Sequence, residues 1–302
     1  LRMSTAMDIT DYEPILKDMA IPPRPQVVTV LFEEMSKDIP DLGRISRTIA
    51  ADPALAGGML KAANSPLLGL QRKATSVSQA IKLLGLRQAS SIATGLAIRH
   101  SVGGSGGRAM DAFWNETERA AMIASFLGRQ EAEAEIGTHV AQALRGVRVD
   151  EAYTYILFHD CGVPLLFQRF PRYLEILQHA RRTPGDKPLC EIEEMAVGTH
   201  HGAVGYFLTR SWGLPREMCQ AIFHHHDVTV FAPDSGASDT MLNLIGIGHL
   251  AEYIYTSCHR GVTEEDWTVF EEAIMRHFGL DEETLVDLVD SVERAEQTGT
   301  DA

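Results

Sequence analysis

The feature that most constrains the fold of this chain is the spacing of its apolar residues, which follows the period of an α-helix along most of the 302 residues. One example is the run formed by Val27, Val28, Leu31, Phe32 and Met35. Segments that alternate between apolar and polar residues are few, and runs of β-branched residues are short. The sequence therefore predicts an all-α protein.

Capping residues mark the start of several predicted helices. Asp41 precedes one apolar repeat, and Asp52 combines an N-cap residue with a proline at the first helical position. Ser76 or Ser78 begins a short helix that Gly85 ends. The remaining predicted helices cover residues 86–100, 110–134, 171–182, 192–212, 215–226, 241–258, 264–278 and 281–296.

A glycine-rich segment, VGGSGGR at residues 102–108, interrupts this helical pattern. We interpret it as a linker rather than a phosphate-binding loop, because no Lys-Ser/Thr pair follows it and no predicted strand precedes it. It separates an N-terminal helical block, residues 1–101, from a larger second block.

The charge of the chain is concentrated at its C-terminal end. The formal net charge is −14, and residues 260–302 alone contain 13 acidic and 3 basic residues. An acidic chain lacks the basic face that contacts to nucleic acid phosphates require, so we expect no direct nucleic-acid partner.

Two predicted helices, the second capped by Asp281, form this acidic C-terminal extension, residues 259–302. Their apolar residues at helical spacing are Trp267, Phe270, Ile274, Phe278, Leu285, Leu288 and Val292. This pattern predicts that the extension packs onto the preceding helices and leaves its acidic face in solvent. A docking surface for a basic protein partner is the alternative.

The four cysteines, Cys161, Cys190, Cys219 and Cys258, form no CxxC pair. We therefore expect free thiols in a reducing compartment rather than a cysteine zinc site.

No apolar run approaches the ~18 residues that span a bilayer and no signal peptide is recognisable, so we expect a cytoplasmic protein without a membrane span. The chain begins with Leu-Arg-Met, which is consistent with an upstream receiver or sensor domain.

The placement of the histidines indicates where chemistry could occur. His159-Asp160 ends an apolar segment, His201 follows His200 just before a predicted helix, and His224, His225 and His226 end the next one. Imidazoles and carboxylates from several helices are the usual ligands of a metal site in a helical bundle. The alternative is a set of hydrogen-bonded core histidines, and we interpret His100, His139, His179, His259 and His277 in that way.

Several longer motifs resemble one known family. IPPRPQVV, IAADPALAGGMLKAANSPLLG and SVSQAIKLLGLRQASSIA are followed in order by FHDCG, HHGAVGYFL, WGLP and AIFHHH. Over roughly residues 15–258 the chain resembles the HDOD family, bacterial signalling modules related to HD-domain phosphohydrolases.

This resemblance implies a multi-helix, HD-like bundle with an N-terminal helical subdomain. Its predicted parts are the subdomain at 1–101, the linker at 102–108, a degenerate HD-like bundle at 109–258 and the extension at 259–302. HD enzymes bind divalent metals through a histidine, a His-Asp pair and a later aspartate, and hydrolyse phosphate esters. HDOD members generally lack part of this set, and act as regulators fused to receiver or other signalling domains.

Matching the family motif residue by residue implies an altered metal site. Glu116 stands where the family has its first histidine, and Glu252 replaces the last aspartate. Where enzymes carry Gly-Lys after the His-Asp pair, this chain has Gly162-Val163, and the lost lysine counts against hydrolysis. The implied metal-ligand set is Glu116, His159, Asp160, His201, His225, His226 and Glu252, for a divalent ion such as Mn, Fe, Mg or Zn.

Three functions follow as hypotheses. The first is a non-catalytic regulatory module that relays a signal to protein partners, as the output domain of a response regulator does. The second is a metal-dependent phosphohydrolase acting on a nucleotide or another phosphoester. The third is a sensor that binds a nucleotide in the former active-site pocket without turnover.

Overall fold

The computed structural model describes residues 9–13, 19, 21–70, 72–102, 107–128, 148–182, 188–260 and 265–298. Within these ranges every regular element is a helix and no strand occurs, which confirms the predicted all-α fold. Residues 103–106 of the predicted linker, residues 129–134 of the predicted helix 110–134, and His139 lie outside the described residues.

The helices are numbered here in chain order over the described residues. In the N-terminal block they are α1 (Gln26–Met35), α2 (Leu42–Ala50), α3 (Pro53–Ala63), α4 (Val77–Leu84) and α5 (Leu86–Val102). The second block contains α6 (Gly107–Leu127), α7 (Val149–His159), α8 (Gly162–Arg169), α9 (Tyr173–Arg182), α10 (Leu189–Val197), α11 (His201–Trp212), α12 (Arg216–His224) and α13 (Asp239–Arg260). The extension forms α14 (Glu265–Phe278) and α15 (Glu282–Thr298), and short 3₁₀ turns occupy Ile9–Tyr12, Pro66–Leu68 and Val228–Phe231.

The predicted caps begin the helices that they were expected to begin. The Asp41 side chain accepts a hydrogen bond from a first-turn amide of α2, and Asp52 accepts two in α3. Ser76, rather than Ser78, caps α4, and Asp281 accepts from the Thr284 amide in α15. Each of these side chains satisfies amides that have no partner within their helix.

The predicted continuous helix over residues 192–212 is wrong. The structure ends α10 at Val197, places Gly198 at φ +78°, and begins α11 at His201. No apolar residue lies between Val197 and Ala203, and this gap, which begins at Gly198, is the signal of the break in the sequence. The left-handed backbone of Gly198 stops the first helix, and as a result His201 lies at a helix start.

Helix α7 lies at the centre of the second block. It packs against α5, α6, α11, α12 and α13, and its side chains from Ala152 to His159 are buried with one exception, Thr154. Helix α5 approaches it closely at Gly95, where an added Cβ would lie 1.9 Å from the Leu157 side chain. The His-Asp pair therefore lies at the end of a buried, closely packed helix.

The acidic extension is part of the packed structure. Helix α14 packs on α13 and on the turn Val228–Phe231, while α15 packs on α13 and on the turn Pro66–Leu68 of the N-terminal block. All seven apolar residues predicted to pack are buried, which confirms that expectation.

All four cysteines are free thiols, as predicted. No helix among the described residues has the length and apolar character needed to cross a membrane.

Candidate metal centre

Five of the predicted site residues lie at helix ends. His159 is the last residue of α7 and Asp160 follows it, His201 is the first residue of α11, and His225 and His226 follow the last residue of α12. Because α7, α11 and α12 pack against one another, these three helix ends meet at one place.

Local contacts fix the start of α11. Nδ1 of His200 accepts a hydrogen bond from the Ala203 amide, so His200 acts as the N-cap residue. At Gly162, the first residue of α8, an added Cβ would lie 2.0 Å from the carbonyl oxygen of His201. Only glycine permits this approach, which brings the segment after Asp160 against the first residue of α11.

Four side chains converge at these helix ends. Asp160, His201, His225 and His226 each offer a ligand atom, and the four atoms lie within 4.8 Å of one another. Nε2 of His201 lies 3.1 Å from Nε2 of His225 and 3.0 Å from Nε2 of His226. Oδ1 of Asp160 lies 3.3 Å from the Nε2 atoms of His201 and His225. We call these four residues the three-histidine group.

The outer nitrogen of each imidazole in this group faces an oxygen acceptor. Carboxylate and carbonyl oxygens only accept, so Nδ1 carries a proton in each ring. In the neutral ring Nε2 then presents a lone pair to the centre. The Nδ1 contacts are His201 to the Glu193 carboxylate at 2.7 Å, His225 to the Ile222 carbonyl at 2.7 Å, and His226 to the Asp266 carboxylate at 2.8 Å.

This donor set fits a metal cation. Three imidazole Nε2 atoms and one carboxylate oxygen converge here, with four of their separations at 3.0–3.3 Å, an arrangement that a positive ion between them would stabilise. Ligand atoms about 2.0–2.1 Å from a tetrahedral ion lie roughly 3.4 Å apart, close to the observed separations. Imidazole with carboxylate is a donor set that suits zinc, iron and manganese.

The pKa values of two imidazoles in this centre are shifted in opposite directions. Burial lowers the pKa of His226, but the Asp266 carboxylate raises it, and the result is a pKa of about 9. A proton on Nε2 of His226 can therefore be donated to Nε2 of His201. Burial and the neighbouring His226 hold the pKa of His225 well below its usual value, so Nε2 of His225, 3.1 Å from Nε2 of His201, keeps its lone pair.

A second group shares Asp160 with the first. It consists of His159, Asp160 and Glu252, with Nε2 of His159 2.8 Å from a Glu252 oxygen and 3.4 Å from Oδ2 of Asp160. Burial lowers the pKa of His159, but the two carboxylates raise it to about 10. The two oxygens of Asp160 thus face two adjacent ligand groups. Burial raises the pKa of Asp160, but the surrounding imidazoles lower it further, so the pKa lies well below its usual value.

Glu116 does not join either group. It lies on α6, and the described residues that bring ligand atoms within 4.8 Å of one another do not include it. Cys190 forms a third such set with Glu193 and His201, but there Nδ1 of His201 already donates to Glu193. The six other predicted residues lie together in the two groups that share Asp160.

The sequence interpretation missed the carboxylates that orient the ring nitrogens. Glu193 is fully buried on α10, where it accepts from the Tyr173 hydroxyl and from both the amide and Nδ1 of His201. Asp266 lies on α14, forty residues beyond its partner His226. Glu193 precedes His201 by eight residues, which is a local signal, whereas nothing in the sequence near Asp266 indicates its role.

Neither of two well-defined cavities adjoins this centre. One, of about 420 Å³, lies between α3, α5, α6 and α7, and the other, of about 590 Å³, lies between α1, α2, α3 and α5. None of the residues in the three-histidine group lines either cavity.

The fold and the site define a class of protein, all-α domains with a histidine–aspartate centre at the ends of converging helices. Within that class the chain belongs to the HDOD domain family, whose model matches residues 21–228. The matched range ends before α13, so Glu252 and the extension lie beyond it.

The chain is also similar to individual proteins. An uncharacterized protein of Treponema pallidum is 26% identical over 214 residues, which are 68% of this chain and 38% of that protein. The chain thus corresponds to well under half of that relative. The crystal structure of an HDOD domain protein of unknown function from Geobacter sulfurreducens has a TM-score of 0.67 and 20% identity, with 96% of each chain covered. A provisionally named signal transduction protein from Marinobacter aquaeolei VT8 has a TM-score of 0.64 and 19% identity, covering 99% of this chain and 61% of that one.

Proposed function

We propose that this chain is a regulatory signalling module that holds a divalent cation in the three-histidine group and passes its signal on through protein contacts. The observation that carries the proposal is the convergence of three Nε2 atoms and one Asp160 oxygen, with each outer nitrogen contacting an acceptor. Histidine ligands whose other nitrogen donates to a carboxylate or carbonyl are the usual arrangement around a protein-bound metal. The signalling role is supported by membership in the HDOD family.

The donor chemistry narrows the choice of ion. Three imidazoles and one carboxylate favour zinc, iron(II) or manganese over magnesium, which prefers oxygen ligands and keeps several waters. When bound, such an ion supplies a concentrated positive charge that stabilises the junction of α7, α11 and α12. We propose a structural and regulatory use of that charge.

The surroundings of the centre favour regulation over turnover. Val163, which occupies the position of the enzymes' lysine, is buried and apolar. The charges that lower the pKa of Asp160 are imidazoles rather than lysine or arginine side chains. A phosphoester approaching the centre would also meet the carboxylates of Glu252 and Asp266.

A metal-dependent phosphohydrolase is the second candidate, and one observation favours it. The side chains of Asp160 and Glu252 are 27% and 22% exposed, so water and a small substrate can reach the oxygens of the second group. Sustained release of phosphate from a nucleotide or an aryl phosphate, lost in Asp160→Ala, would establish this activity in place of the regulatory role.

Metal binding tests the proposal directly. Protein purified without a histidine tag is analysed for bound metal, stripped with chelator, and titrated calorimetrically with Zn²⁺, Fe²⁺ and Mn²⁺. We expect at least one ion per chain and an affinity that falls by roughly 10-fold or more in His201→Ala. His179→Ala, which removes an exposed histidine on α9, is the matched control and retains wild-type affinity. Loading below about one ion in ten chains, with no measurable affinity for the three metals, would contradict the proposal.

The partners of the module are also proposed. We propose that it acts downstream of a receiver or sensor domain and contacts further signalling proteins. Capture of one defined partner by the metal-loaded chain, and weaker capture after chelation, would support this arrangement.

A further inference from the structure

The acidic extension reaches the three-histidine group through one residue. Asp266, the second residue of α14, places a carboxylate oxygen 2.8 Å from Nδ1 of His226. The other acidic residues of α14 include Glu271 and Glu272, which are exposed. Asp266 is therefore distinguished from its acidic neighbours by a specific contact with a ligand residue of the proposed metal site.

Aromatic contacts hold α14 in the position that this hydrogen bond requires. Trp267, the next residue, stacks on Tyr253 of α13 with ring centroids 4.4 Å apart. One turn later Phe270 stacks on His249 at 4.1 Å, and Nε2 of His249 donates to the carbonyl oxygen of His225 at 2.7 Å. Helix α14 thus contacts the His225-His226 turn through its own carboxylate and through the ring of His249.

We infer that Asp266 is a positioning residue of the metal centre, and that metal binding and the docking of α14 stabilise each other. This inference rests on the proposed metal site. The Asp266 carboxylate fixes the ring of His226 with Nε2 toward the centre and makes that nitrogen a better ligand. Because the contact spans the junction between the extension and the bundle, an ion that favours this ring orientation also favours docked α14.

The inference gives the acidic extension a role that its net charge does not explain. An acidic residue in the first turn of a helix commonly interacts with the helix dipole alone. Here the side chain is directed at an imidazole on another element, so its effect depends on that imidazole being present. A double-mutant comparison separates the two roles.

The test compares Asp266→Ala with Glu271→Ala, which removes the same charge from an exposed position on the same helix. Calorimetric titration with Zn²⁺ is expected to show roughly 10- to 100-fold weaker binding for Asp266→Ala and wild-type affinity for Glu271→Ala. Asp266→Asn keeps an acceptor oxygen and the side-chain volume, so its Zn²⁺ affinity is expected to fall less than that of Asp266→Ala. This variant also serves if Asp266→Ala folds poorly.

The His226→Ala background then distinguishes positioning from simple charge attraction. If Asp266 acts through the His226 ring, Asp266→Ala causes no further loss of Zn²⁺ affinity in that background. If Asp266→Ala weakens Zn²⁺ binding by the same factor with and without the His226 ring, only the charge matters and the inference is overturned.

Hydrogen exchange supplies a readout that does not depend on affinity. We expect Zn²⁺ to slow amide exchange in residues 265–278 of the wild-type chain and to have little effect there in Asp266→Ala. If the wild-type chain binds Zn²⁺ and Asp266→Ala binds it equally well, the inference is wrong while the proposed function stands. If the wild-type chain binds none of the three metals, the proposed function itself fails.

Discussion

Individual histidines use their two ring nitrogens for different purposes in this protein. In His159, His201, His225 and His226, Nδ1 contacts an oxygen acceptor outside the centre and Nε2 faces inward. Each inward nitrogen also lies within 3.4 Å of a side-chain atom of another residue in the centre. Four rings with the same orientation make the centre a built feature of the fold rather than a chance concentration of histidines.

A different ionic cluster, built around one buried carboxylate, predicts how the stability of the fold responds to acid. Glu34 on α1 is 0% exposed and accepts hydrogen bonds from Lys37, the Asp41 amide and Arg44, which together lower its pKa to about 2. A carboxylate with a lowered folded-state pKa stabilises the protein above its unfolded value, 4.5, and this contribution is lost as pH falls toward 2. Glu34→Gln is therefore expected to flatten the fall in melting temperature over that pH range.

The matched control for this prediction is Glu33→Gln. Glu33 is 51% exposed and pairs with the exposed side chain of Arg44, so we expect its replacement to leave the pH profile nearly unchanged. Thermal melting of both variants between pH 5 and pH 2 provides the measurement. Identical profiles for Glu34→Gln and the wild type would show that the ionic cluster does not contribute.

At the scale of elements, the ends of helices build the centre. Nδ1 of His159 contacts the Ile156 carbonyl oxygen, and Nδ1 of His225 contacts that of Ile222, in both cases three residues earlier at 2.7 Å. The last carbonyls of a helix have no partner within the helix, so they are available to hold such rings. The same local geometry is thus used at the C-terminal ends of α7 and α12.

The close approach of α8 to α11 gives a prediction about packing. In Gly162→Ala the new methyl group would overlap the backbone oxygen of His201, which unlike a side chain cannot rotate away. We expect the free energy of unfolding to fall by about 1–3 kcal/mol or more. Urea denaturation of the metal-stripped chain measures this change.

Gly57→Ala is the control for that substitution. Gly57 lies within α3 and a Cβ there would meet nothing within 4 Å. Alanine is the better helix former, so this variant is expected to gain about 0.5–1 kcal/mol. Equal effects of the two substitutions would show that the 162–201 contact does not limit packing.

How far the helices could be predicted depends on which residues begin and end each of them. Asp41, Asp52 and Asp281 begin helices because their side chains accept amide hydrogen bonds, a rule that depends on neighbouring residues only. The break at Gly198 has a local signal as well, a glycine followed by four residues without an apolar side chain, which the prediction of one continuous helix overlooked. That break determines where His201 lies.

At the scale of the whole molecule, the candidate site could be predicted only in part. The resemblance identified ligands that follow motifs, such as His159 and His225. Glu116 is absent from both groups. The match to the family motif gives its position in the sequence, but it does not show whether a glutamate side chain on α6 reaches the other ligands. Asp266 could not be found, because its role depends on a contact between elements far apart in the sequence.

The last prediction concerns whether the extension unfolds together with the bundle. Leu288 on α15 is fully buried, whereas Val286 on the same helix is 59% exposed. Leu288→Ala is expected to cost about 2–5 kcal/mol, because it leaves a cavity in a core that α15 shares with α13 and the N-terminal block. Val286→Ala is expected to change stability by less than about 0.5 kcal/mol. Urea denaturation followed by circular dichroism and by tryptophan fluorescence measures both. One coincident transition, shifted only by Leu288→Ala, indicates a single cooperative unit, while a separate early transition would show that the extension is an independent appendage.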